Sequence, residues 1–182
     1  EMFHNLTRNY NLSEKRFINY REAFINSKNE TEAIFNAKQF LKSAGEMMIN
    51  SLEKIKTKAM ENEDITDEQE QRIVNAIEEK VNGINTILDK IDSASTKQEV
   101  KEAGKELMDY WNDIKKSAKD YSLMLYKSRV GAVLERAKHL EVRLDNAVAK
   151  LEEQGYNTDE IDSLVTEFSV KVEEARQKYN NS

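Results

Sequence analysis

The chain is 182 residues long, with five glycines, no proline, no cysteine and a net charge of −6. Zero cysteine excludes disulfides and thiolate metal sites, and the interleaving of 34% charged with 38% hydrophobic residues excludes a disordered chain. No apolar run approaches the roughly 18 residues that a membrane span needs, and without proline nothing interrupts a long helix.

Residues 1–31 read as an N-terminal polar and aromatic segment followed by a helix. Residues 1–12 show no clear period. The spacing predicts a helix from near Ser13, with Phe17, Tyr20 and Phe24 on one face. Asn29 and Glu32 are spaced as a capping box. The polar stretch 27–31 is therefore either a break or a turn inside one long helix.

Residues 32–121 predict an antiparallel three-helix core. Ile34, Ala37, Leu41, Ala44, Met48, Ser51 and Ile55 alternate steps of three and four, and Phe40, Met47 and Leu52 widen that stripe. Gly45 costs about 1 kcal/mol of helix propensity against alanine, which implies a close helix approach. The stretch 61–66 is a turn, and Thr66 with Gln69 forms a capping box. Val74, Ile77, Val81, Ile84, Leu88 and Ile91 make the next seam, and Thr96 with Glu99 the next box. The short connections favour antiparallel neighbours. Leu41, Ile84, Leu107 and Trp111 are the expected anchors, because burying a large apolar side chain is worth about 1.5–3 kcal/mol.

Residues 122–182 read as an extension and a C-terminal helical hairpin. One helix runs from about Lys97 to Gln154, with a first seam on Val100, Ala103, Leu107, Tyr110, Ile114, Ser117 and Tyr121. A second seam follows on Val130, Val133, Ala137, Leu140, Leu144, Ala147 and Leu151. The two are out of phase, which predicts either a bend near Ser122–Ser128 or a change of partner. Gly155 is the expected helix stop, with Tyr156 folding back on Leu151 and Asn157 capping the last helix. Ile161, Val165, Phe168, Val172, Ala175 and Tyr179 give that helix its seam. The fold class is therefore all-α: an elongated antiparallel helical bundle with a C-terminal hairpin.

Little in the chain points to chemistry. The only histidines are His4 and His139. Carboxylate-bridged di-metal bundles need two Glu-x-x-His pairs, whereas Glu135 and His139 stand four apart and alone. No Gly-rich phosphate loop is present, and the oxygen-rich stretch 62–66 has Asp67 where a calcium loop needs glycine. We therefore expect no enzyme, no cofactor, no metal site and no small-molecule substrate. Lys115, Lys116, Lys119, Lys127, Arg129, Arg136 and Lys138 form the one concentrated basic stretch. They carry no base-reading motif, so a nucleic-acid partner is not expected.

The segments 94–114 (ASTKQEVK…LMDYWNDI), 136–144 (RAKHLEVRL) and 151–164 (LEEQGYNTDEIDSL) resemble helical regions of secreted archaeal proteins of uncharacterised function. That resemblance implies an extracellular or envelope location and no known chemistry. Four N-x-[ST] triplets, at Asn5, Asn11, Asn29 and Asn180, are candidate glycosylation sites near the termini or in an expected loop. The chain begins at Glu1, which reads as a processed or trimmed start. The expected function is a non-enzymatic extracellular or cell-surface structural and interaction protein acting through helix faces. The alternative is a cytoplasmic helical adaptor or coiled-coil partner protein. Self-association is expected through the chain's ends, with Phe17, Tyr20 and Phe24 of one molecule on Phe168 and Val172 of the next.

Overall fold

The computed structural model describes residues 2–181. Five helices follow one another: α1 (Met2–Ile25), α2 (Glu30–Met60), α3 (Asp67–Ser93), α4 (Lys97–Glu153) and α5 (Asp159–Asn180). No strand occurs among the described residues, so the fold is all-α. The chain divides into two compact units, Glu1–Leu123 and Met124–Ser182, and α4 contributes to both. It is helical throughout, Ser122–Ser128 included.

The first unit takes in α1 together with the three helices expected over 32–121. The helix α1 begins at Met2, eleven residues before the expected start. Its buried and half-buried positions Leu6, Tyr10, Ser13, Phe17 and Tyr20 do keep a three-four spacing. A serine at the centre of the stripe hid that period. Ser13 is 3% exposed, and its hydroxyl donates to Glu46 Oε2 at 2.9 Å. The stretch 27–31 is a true break: Asn29 caps α2 by accepting from the Glu32 amide, while Glu32 reaches the Lys28 amide. The helix α1 therefore folds back along α2. Phe17 meets the Phe40 ring at 4.5 Å, Ser27 accepts from Asn36, and the Lys54 ammonium lies over Tyr10.

The central helix is α2, which is why almost none of its residues between 36 and 57 is exposed. It runs antiparallel to α3, with Lys42 on Asp92 and Lys56 on Glu78. Burial works against the Lys56 ammonium, but Glu53 and Glu78 outweigh it and raise its pKa. Lys38 donates to the Asp92 and Ala94 carbonyls at 2.6 and 2.9 Å, so a cation from α2 satisfies the orphan end of α3.

Ile73, Ile77, Ile84, Ile87 and Ile91 are the buried face of α3. The expected Ile77, Ile84 and Ile91 are there. Ile73 and Ile87 join them, and Val74, Val81 and Leu88 are half-buried flanks. Two neighbouring helices press on α3, so its apolar stripe is wider than one seam. From α4, Val100, Ala103, Leu107, Ile114 and Ala118 are buried. Ile84 and Leu107 are the anchors expected of them, whereas Leu41 and Trp111 are half-buried.

Three glycines fix how closely α2, α3 and α4 approach. A Cβ on Gly45 of α2 would lie 2.6 Å from Leu88 of α3. One on Gly83 of α3 would overlap the Tyr110 ring of α4, and one on Gly104 of α4 would lie 3.0 Å from Leu41 of α2. Each helix thus offers a glycine to a large side chain of the next, around a closed ring of three. Burial and the Glu79 carboxylate push the Tyr110 phenol up.

Caps end these helices where the turns were expected. Thr66 and Gln69 form the full reciprocal box. Thr96 and Glu99 do the same, and Glu99 Oε2 also takes the Ser95 amide at 2.6 Å. Those amides lower the Glu99 pKa below the ordinary 4.5.

In the second unit, the later part of α4 pairs antiparallel with α5. Gly131 lies against Tyr179, Glu135 bridges Arg176 at 2.9 Å, and the Thr158 hydroxyl donates to Glu152. Gly155 takes φ +81°, and the Tyr156 amide closes onto the Leu151 carbonyl at 3.1 Å. This is the expected Schellman turn, although the Tyr156 ring stays exposed. The N-cap of α5 is Thr158 rather than Asn157, with no side-chain cap bond. Asn157 instead accepts the Asp159 amide in an Asx turn, and Thr158 is drawn inward to Glu152.

Gly83→Ala should lower stability by about 1–3 kcal/mol as the Tyr110 ring is forced out, despite about 1 kcal/mol of gained helix propensity. In a Tyr110→Ala background the same change should be neutral or stabilising, as thermal melts of the four variants will show. Glu99 supplies a second test. Its folded pKa lies below 4.5, so its contribution is complete above that pH and is lost as pH falls through the lower folded value. Glu99→Gln should flatten that limb of a melting-temperature profile in acid and leave a smaller, pH-independent loss above it.

Candidate interaction surface

The second unit is a hairpin with two sides of different character. Its seam is Leu134, Val148 and Val165, all buried, flanked by half-buried Ala137, Glu141, Leu144, Ser169 and Val172. This corrects the expected phase on α4. Val133 and Leu140, placed in the seam by their spacing, are 58% and 45% exposed, and Ala147 is exposed with them. The buried column stands one residue later, at 134, 141 and 148. A glutamate at 141 hid it, while the more apolar column points outward.

On α5 the seam residues are Val165, Ser169, Val172 and Arg176. Leu164, at 66% exposed, precedes Val165 by one position. Half-buried Phe168 precedes Ser169, and exposed Ala175 precedes Arg176. Exposed Ile161 lies a turn before. On both helices, then, the outward apolar residues stand about 100° to the same side of the seam. The pseudo-two-fold relating two antiparallel helices is perpendicular to the hairpin plane. It leaves that offset on one face. Val133, Leu140 and Ala147 of α4 thus share a face with Ile161, Leu164 and Ala175 of α5. Two packed helices bury one seam between them, and this second seam has no partner within the unit.

Charge borders the face in columns. Arg129, Arg136, Arg143 and Lys150 recur every seven residues along the outer edge of α4. Glu160, Glu167 and Glu174 do so along the outer edge of α5, whereas Lys171 and Lys178 follow Leu164 at the same seven-residue step and so stand on the apolar face itself. Lys171 contacts Glu174 at 3.5 Å. A seven-residue step keeps a column nearly in line along a helix. The basic column is legible in the sequence as a heptad repeat, but reading the region as one basic stretch merged it with Lys115, Lys116 and Lys119 of the first unit.

The other candidate residues fall apart in space. Phe17 is stacked on Phe40 and Tyr20 is half-buried in the α1–α2 pair. That corrects the picture of a bare N-terminal helix offered to another molecule, because α2 already covers this face. Phe24 is exposed at the end of α1, and Phe168 and Val172 belong to the hairpin. His139 is exposed, and Glu135 is engaged with Arg176 rather than with His139. No cluster of three or more metal-ligating side chains occurs among the described residues. Asn5, Asn11, Asn29 and Asn180 are all exposed. Asn5 and Asn11 lie on a helix rather than in a frayed end, and the Ser13 hydroxyl of the Asn11 triplet is bound to Glu46.

Two depressions mark the first unit. A polar notch of about 350 Å³ lies where α3 turns into α4, between Lys90, Ser95, Glu99 and Glu106. An apolar groove of about 220 Å³ runs between α1, α2 and α4, lined by Tyr10, Phe17, Met47, Met48 and Trp111. Both are shallow and open. No helix among the described residues is long and apolar enough to cross a membrane. Family models, curated proteins and solved structures give no match to this chain.

In dilute solution, Leu134→Ala should cost about 2–5 kcal/mol as a buried truncation. The neighbouring Val133→Ala should stay within about 0.5 kcal/mol as a surface change. Urea melts of the two variants measure the difference. Equal losses would return Val133 to the seam.

Proposed function

We propose that this chain is a non-enzymatic interaction protein. Its hairpin presents an apolar two-helix face to another helical surface. The observation that carries the reading is that Val133 and Leu140 of α4 and Ile161 and Leu164 of α5 are exposed on one face of a pair already packed on its other seam. Exposed apolar side chains rimmed by polar residues mark a protein-docking site, and charged columns border this face. The first unit carries a core closed by glycine contacts and suits the role of a rigid support.

We place the protein outside the cell or at its surface. That location rests on the resemblance of 94–114, 136–144 and 151–164 to secreted archaeal helical proteins, and the exposed Asn5, Asn29 and Asn180 side chains are open to glycosylation there.

A photo-reactive side chain at Leu164, in protein expressed in its native source, should cross-link to a polypeptide as a discrete adduct. Leu140→Asp in the same chain should abolish that adduct, and the probe at Ile18 on α1 should give none. Intact mass of the same material should exceed the 21.1 kDa chain by glycan increments. No adduct at Leu164 would overturn the docking role, and the bare chain mass would count against the location.

A further inference from the structure

We propose that the occupant of the hairpin face is the same face of a second copy, giving a four-helix bundle with its two-fold axis along the helices. This rests on the reading of the hairpin as a docking module and names its partner.

Charge selects both partner and geometry. Two such faces can meet in two ways. With the two-fold across the helices, α4 lies over α4, and four basic residues at 129, 136, 143 and 150 face four more. That arrangement is repulsive. With the two-fold along the helices, α4 of one copy lies over α5 of the other, and the basic column meets the acidic one.

The intrachain register then decides which charges are level. This two-fold leaves height along the bundle unchanged, so a residue of one copy stands at the height of its counterpart in the other. Within a chain, Gly131 stands opposite Tyr179, Glu135 opposite Arg176 and Glu152 opposite Thr158. The same register places Arg136 level with Glu174, Arg143 with Glu167 and Lys150 with Glu160. Three of the four basic residues thus arrive at an acidic one, on both sides of the bundle, Glu174 being shared with Lys171 of its own chain. Between these pairs, Ala147 comes level with Leu164, so small meets large there, while Leu140 and Val133 come level with Lys171 and Lys178, whose long alkyl stems lie along the apolar side chains and carry the ammonium groups to the bundle edge. Each helix of the bundle is then antiparallel to both neighbours, the arrangement favoured by short connections. The contact is isologous and closes at two copies, so it makes a dimer and no filament.

The test is a charge exchange on the full chain, read by sedimentation equilibrium. The wild-type chain should dimerise. The acidic-edge variant Arg143→Glu with Lys150→Glu should weaken the dimer by about tenfold or more, as should the basic-edge variant Glu160→Lys with Glu167→Lys. An equimolar mixture of the two should recover wild-type association, because each mismatched edge then finds its opposite in the other variant. Circular dichroism melts should show both variants folded, since all four positions are exposed. A wild-type chain that stays monomeric to millimolar concentration would overturn the proposal. So would an acidic-edge variant that associates as well as wild type, the outcome expected with α4 over α4. In either case a Leu164 adduct with a different polypeptide would leave the docking role standing. Absence of any adduct would remove both.

Discussion

The ring of glycine contacts among α2, α3 and α4 sets the geometry of the first unit. Gly45 receives Leu88, Gly83 receives Tyr110 and Gly104 receives Leu41. Glycine within a helix costs about 1 kcal/mol against alanine, so three of them are a standing loss. The gain is a closer approach of the backbones, which lets each large side chain fill the space a methyl group would take. The three contacts are mutually dependent. Shifting one helix to relieve one pair moves a member of the other two.

Much of the remaining structure follows from that closeness. Because α3 and α4 are tied to α2 on one side, the other side of α2 is left for α1. That explains why α1 returns along α2 rather than continuing beyond it. The polar Ser13–Glu46 bond and the Phe17–Phe40 pair hold this last contact. They are side-chain contacts between two helices that run close together along their length, and no glycine contact lies between them.

The hairpin of the second unit is built differently. One glycine contact, Gly131 with Tyr179, and one ion pair, Arg176 with Glu135, fix its register, and Gly155 turns the chain. Two helices have only one mutual seam, yet both carry apolar residues enough for two. The first unit builds a core of several helices closed by glycine contacts, whereas the hairpin has one seam with an exposed apolar column beside it. The asymmetry between a closed support and an open face is the physical basis of the proposed role.

The sequence by itself determined the helices, most of their caps and the hairpin turn. These are local matters: three-four spacing, Thr-x-x-Gln and Thr-x-x-Glu boxes, and a glycine at a left-handed position act within a few residues. The core identities of Ile84 and Leu107 were legible for the same reason. Tertiary structure alone decided which of two adjacent columns on a helix is buried. On α1 a serine occupied the buried column and broke the apparent period. On α4 a glutamate at 141 did so, while Val133 and Leu140 offered a cleaner pattern on the outside. Periodicity reports every apolar stripe a helix carries, whether its partner lies in the same chain or not. Where a helix has two stripes and one neighbour, only packing assigns the neighbour to one of them. The stripe left over is then the surface that matters for function.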